Sequence, residues 1–201
     1  MKTRLLLVIL LPTVSYAQMP ARSYWQWGVK AGVANAWLRH DQYQHAHLGP
    51  TLGLTGGRYF RASRLSFGAD LVYEQRRLLV PTLNAATTFS YLTLPVYVRT
   101  GSAHDRFHLL LGASFSSVIS PVAPISTTTQ DWHFHHQDWG LVAGMEFRVG
   151  KSYPIETTLG PLLRYGIGPT VEVRNPRYYE SQSTVLVGLT ATVLFHPAVI
   201  E

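Results

Sequence analysis

Nine histidines, two adjacent serines and a small set of carboxylates are the residues whose types could do chemistry. His133, His135 and His136 form one group; His40, His45 and His47 form another. Neutral imidazole is the commonest metal ligand near neutral pH. His45, His47, His133, His135 and His136, with Asp41, Asp131 and Asp138 nearby, are therefore candidate ligands for Zn²⁺ or Cu²⁺ if the two segments meet. No fixed metal spacing accompanies them, so polar surface loops are the preferred account and no cofactor is implied. Ser116 or Ser117, a histidine of 133–136 and Asp138 could supply the nucleophile, base and carboxylate of a lipid A-modifying hydrolase. A triad is defined by geometry rather than by residue types, and neither G-x-S-x-G nor H-x-S occurs. Walker and H-E-x-x-H motifs are also missing. The absence of cysteine excludes thiol catalysis, Cys-ligated zinc and disulfide scaffolds. The expectation is a chain that is not an enzyme.

The other chemically loaded residues are charges set among strands. Lys30, Arg76, Arg99, Arg148 and Arg164 stand against Asp70, Glu74, Glu146 and Glu156. Each lies in a stretch that alternates apolar and polar residues, the mark of a strand with two unlike faces. In 155–167, Ile155, Leu159, Pro161, Leu163, Tyr165 and Ile167 share one face; Glu156, Thr158, Gly160, Arg164 and Gly166 share the other. Eight such runs follow one another, at about 24–38, 49–61, 65–77, 88–100, 106–119, 138–149, 154–168 and 183–195. Strict alternation puts Asn35 on the apolar face of the first run, unless a bulge shifts it.

The connections alternate in length. Residues 62–64, 101–105 and 150–153 are short joins, whereas 39–48, 78–87, 120–137 and 169–182 are long. An even strand count with short turns at one end and long loops at the other is the signature of an all-β, eight-stranded antiparallel up-and-down transmembrane β-barrel. Each run is long enough for the ~9–11 residues that a tilted membrane strand needs. Tyr24, Trp25 and Trp27 fall at one expected rim, and Trp37, Trp132 and Trp139 at the other, as interfacial aromatics do. A soluble lipocalin-like ligand binder would place apolar residues inside and charges outside. Here the polar face is rich in glycine and carries both charge signs, which suits a narrow lumen plugged by ion pairs.

The fourth run, Phe89-Ser90-Tyr91-Leu92-Thr93-Leu94-Pro95-Val96-Tyr97-Val98-Arg99, resembles the Y-L-x-I-P-L-x-x-K/R strand of PorT-like outer-membrane β-barrel proteins. The first, Gly28-Val29-Lys30-Ala31-Gly32-Val33-Ala34-Asn35, is similar to that family's opening G-x-K-x-G-x-N strand. Asn35 stands one residue later than the family's asparagine, and Thr93 stands where the family often has glutamate. The resemblance implies an eight-stranded outer-membrane barrel of a Gram-negative bacterium. The namesake branch is associated with a protein secretion apparatus.

Residues 1–17 read as a secretory signal peptide. Lys2 and Arg4 precede an apolar run from Leu5 to Leu11, Pro12 breaks it, and Ser15-Tyr16-Ala17 is a small-x-small cleavage site. The barrel domain would then be residues 18–201, exported through the cleaved signal to the bacterial outer membrane. Its basic excess is modest, 15 Lys and Arg against 11 Asp and Glu, and no basic run suggests nucleic acid. The expected partners are outer-membrane lipid and lipopolysaccharide, with a protein partner at the external loops of a monomeric barrel. Arg174 and Arg177 beside Tyr178 and Tyr179 could meet lipopolysaccharide phosphates or anchor a rim.

Overall fold

A computed structural model describes residues 23–38, 48–60, 65–80, 85–101, 105–120, 125–126, 131–152, 154–168, 170–175 and 178–195. The strands are β1 (Ser23–Leu38), β2 (Leu48–Phe60), β3 (Leu65–Val80), β4 (Ala85–Thr100), β5 (Phe107–Val118), β6 (Ile125–Ser126), β7 (Asp131–Phe134), β8 (Gln137–Ser152), β9 (Ile155–Gly166), β10 (Val171–Asn175), β11 (Tyr178–Gln182) and β12 (Thr184–Phe195). Eight of them, β1, β2, β3, β4, β5, β8, β9 and β12, close an antiparallel barrel in chain order. The last meets the first from Trp27↔Phe195 to Leu38↔Thr184 without a register break. No helix among the described residues is long and apolar enough to cross a membrane, and closure leaves the barrel sheet without an edge.

The period-two sequence reading is realised strand by strand. Leu52, Leu111 and Val149 point outward at 62%, 68% and 68% exposure, while Glu74, Thr93, His108 and Thr158 are fully buried inside. A soluble barrel shows the reverse. Apolar surface on this scale needs hydrocarbon beside it. Asn35 keeps the parity of β1 and sits on the outer face between Leu48 and Val187, so no bulge occurs there. The bulge in the barrel lies instead between Arg148 and Gly150, near the end of β8.

Two local features follow from residue chemistry. Pro95 has no N–H to donate. The β3–β4 ladder is interrupted between Ala69↔Val96 and Val72↔Thr93 and resumes in the same register, so the strand passes through the proline without slipping. Gly68 faces inward opposite Tyr97, and a Cβ there would run into the Tyr97 ring. The missing side chain is what lets that aromatic lie across the lumen.

Three of the four long connections differ from the sequence reading. The second is mostly strand: β3 and β4 continue as a ladder to Val80↔Ala85, leaving 81–84 between them. The reason is continued antiparallel pairing through Leu78-Leu79-Val80 and Ala85-Ala86, which hydropathy alternation does not mark. The third and fourth contain β6, β7, β10 and β11, which pair in the order β11-β10-β7-β6 as a separate four-stranded sheet. The first, 39–47, lies outside the described residues, as do His40, His45 and His47.

Candidate functional site

The lumen holds two groups of charges. In the first, Glu74 accepts from Arg76 Nε at 2.7 Å, from Arg164 Nη1 at 3.0 Å and from Thr93 Oγ1 at 3.1 Å, and Arg164 Nη2 reaches its other oxygen. Arg76 also donates to Asp138 at 2.9 Å and to Ser116 Oγ at 2.9 Å, with its guanidinium 3.8 Å from the centre of the Tyr91 ring. Thr184 Oγ1 donates to Asp138 at 3.0 Å. The second group spans the half nearer the short turns. Lys30 Nζ lies 2.5 Å from Asp70, which also accepts from Tyr97 OH at 2.8 Å. Arg99 pairs with Glu146 at 3.0 Å, and Arg148 with Glu156 at 3.2 Å. One small cavity is lined by Lys30 and Asp70 of the second group and by Glu74 and Arg164 of the first, with Val72, Pro95, Leu162 and Leu186 among the rest of its wall.

All nine charges that sequence parity places on the polar face thus point into the barrel. A tenth, Asp138, is buried with them and makes five carboxylates against five cations among the described residues. Its signal was present, since 138 shares the parity of Glu146 and Arg148. Its neighbourhood of histidines drew attention to chemistry instead. Tyr91, Tyr97, Thr93 and Thr184 were also missed as network members, because hydroxyls on a polar face carry no distinguishing pattern. Thr93 meets the Glu74 carboxylate supplied by the neighbouring strand.

The hydrolase candidates are not assembled. Ser116 Oγ, inside the lumen, is taken up by Arg76 and Thr93, and Asp138 by Arg76 and Thr184. His135 lies 3.0 Å from Glu172 in the external sheet, and His133 and His136 are exposed. Among the described residues no three His, Asp or Glu side chains gather as a metal site. The sheet that holds His133, with His135 just past the end of β7, is the larger surprise. β7 pairs with β10 from Val171↔Phe134 to Arg174↔Asp131, so two connections far apart in sequence form one surface beyond the barrel.

The aromatic rims are sharper than the sequence reading made them. Trp25 and Trp27 face outward near the short turns. Trp27 stacks on Phe195 at 4.7 Å, and Phe60–Phe67 and Phe107–Phe147 continue that girdle. Tyr24 leaves it, because its even position turns it inward onto Tyr59 at 5.6 Å. Phe115 and Trp139 mark the opposite rim at 4.6 Å. Trp132 does not, since β7 is off the barrel.

A family model described as outer membrane protein beta-barrel domain matches residues 16–172. The chain belongs to this outer membrane β-barrel family. The matched stretch ends within β10, and the remainder supplies β12, the strand that closes the barrel. The fold is similar to the crystal structure of Ail, the attachment invasion locus protein of Yersinia pestis, in complex with the heparin analogue sucrose octasulfate. That match has TM-score 0.50 and 12% identity and covers 86% of this chain and 99% of Ail. It is also similar to the outer membrane protein AlkL in lipid bilayers, with TM-score 0.50, 9% identity, and 92% and 97% of the two chains covered. Comparison with curated proteins gave no match. For a small outer membrane barrel, the lipid and lipopolysaccharide environment is what the outward apolar face and aromatic girdles fit.

Proposed function

We propose that this outer membrane barrel does no chemistry and acts as a monomeric structural or interaction protein through its external surface. The observation that carries this reading is the β7–β10 ladder, which builds the third and fourth long connections into one ordered sheet outside the barrel. The lumen filled by paired charged side chains supports it, since an eight-stranded barrel is just wide enough inside for side chains to fill. The strand Tyr91-Leu92-Thr93-Leu94-Pro95-Val96 resembles the corresponding strand of the PorT-like branch, and a secretion-associated role would be one form of interaction. Export follows removal of residues 1–17, which predicts Gln18 as the mature N-terminus by mass spectrometry.

The test uses a photo-crosslinking residue in place of His133 or His136 in intact cells, with Thr100 as the control position at the short-turn end. Discrete adducts to protein or lipopolysaccharide from the external positions are expected. Absence of any external adduct would count against an interaction role. A change in lipid A acyl mass on expression, abolished by Ser116→Ala, would overturn the non-enzymatic reading.

A further inference from the structure

Arg58 is a charged side chain on the outward face of β2, among the apolar residues of that face. It lies in β2, two residues before the strand ends at Phe60, and pairs across to Trp25 on one side and Phe67 on the other. Its guanidinium sits 5.8 Å from the centre of the Trp25 ring and 5.5 Å from that of Phe60. Nε and Nη2 both donate to Ser23 Oγ, at 3.2 and 2.9 Å. A guanidinium has five N–H donors in a planar fork. Ser23 takes two, and the rest have no acceptor among the described residues. A cation set within an aromatic girdle, at the level where hydrocarbon gives way to headgroups, is held for an anion of that level. Aromatic walls and the serine clamp fix its plane, and a fixed fork matches the oxygens of a phosphate.

We propose that Arg58, clamped by Ser23 between Trp25 and Phe60, binds the phosphate of a phospholipid headgroup in the leaflet at the short-turn end of the barrel. The inference rests on the outer-membrane reading above. The fork takes the phosphate diester, while Trp25 and Phe67 lie along the upper acyl chains. A free phosphate ion would satisfy the fork alone and would gain nothing from the exposed aromatic faces. The site therefore commits to a lipid.

The experiment is native mass spectrometry of the full chain in detergent micelles titrated with phosphatidylglycerol, alongside insertion of the same protein into phosphatidylglycerol–phosphatidylethanolamine vesicles. Failure of the wild type to insert would sink the outer-membrane reading itself. With insertion intact, Arg58→Gln should weaken retention of a single lipid by about tenfold or more, the scale of a lost charge-assisted hydrogen bond. Arg58→Lys, which keeps the charge and loses the fork, should fall between the two. Equal retention by Arg58→Gln, or displacement of the lipid by millimolar inorganic phosphate, would overturn the proposal. Should Arg58→Gln fail to fold, the lysine variant decides alone, and lipid retention indistinguishable from wild type would overturn the proposal.

Discussion

Glu74 is fully buried and carries two arginines and a threonine hydroxyl on its two oxygens. Removing one partner of a buried pair leaves the other charge uncompensated, which costs more than the pair is worth. Arg164→Leu should therefore destabilise the barrel by about 3–5 kcal/mol, read as a shifted urea midpoint in vesicles. A loss under about 1 kcal/mol would mean that water reaches Glu74 and solvates it. Lumen membership was legible residue by residue, because one alternation rule covers Lys30, Asp70, Glu146 and the rest. Who pairs with whom was not. Arg76 meets Asp138, 62 positions away, because strand tilt and side-chain reach across the lumen choose partners, and neither is written in local sequence. Arg58 went unremarked for a related reason: one basic residue beside a turn is ordinary until its facing and its aromatic neighbours are seen together.

At the scale of elements, each barrel strand has a lipid side and a lumen side one residue apart. Leu163 faces out, and Leu162 faces the cavity that Arg164 also lines. Leu163→Arg should cost about 2–4 kcal/mol near the midplane. If unfolding titrations showed it harmless while Leu162→Arg was not, the facing of β9 would be one residue out. Strand existence was readable because hydrocarbon on one side and charge on the other enforce the alternation. The external sheet was not readable, since β7, β10 and β11 are only 4, 5 and 5 residues long, too short for alternation to single them out within the long connections. Its pairing can be tested directly, because the chain has no cysteine to interfere. His133 and Glu172 are cross-strand partners on β7 and β10, within the reach of a disulfide. The double variant His133→Cys, Glu172→Cys should oxidise to a faster-migrating species. A protein that stays fully reduced under mild oxidant would contradict the sheet.

For the molecule as a whole, alternating connection lengths predict the orientation: long connections outside the cell, short ones and both chain ends in the periplasm. Tags inserted near Ala123 and Gln182 should be labelled on intact cells, and a tag near Ala103 should not. Labelling at Ala103 alone would invert the barrel. The closed eight-stranded architecture was legible from strand count and turn alternation. The longer reach of β3 and β4, to Val80 and Ala85, was not, because Leu78-Leu79-Val80 breaks the alternation and Pro81 and Asn84 read as loop.

Seven of the eight barrel contacts join strands consecutive along the up-and-down path, but β1 and β12 bring Trp27 to Phe195. Hairpins can form as their own strands become available; that last seam cannot. Joining residues that far apart in an otherwise unstructured chain carries an entropic cost of about 4–5 kcal/mol, so the seam has to wait until the intervening strands have already bent into an arc. It is thus the expected last event of assembly and the first place to open. Since the seam's two strands lie side by side, the order of synthesis can be separated from the order of closing. A circular permutant that links Phe195 to Ser23 and begins at Leu65 should reach the same barrel with its closing seam moved to β2 and β3. Its refolding into vesicles, followed by heat-dependent gel mobility, should then become sensitive to substitutions along that ladder rather than along β1 and β12.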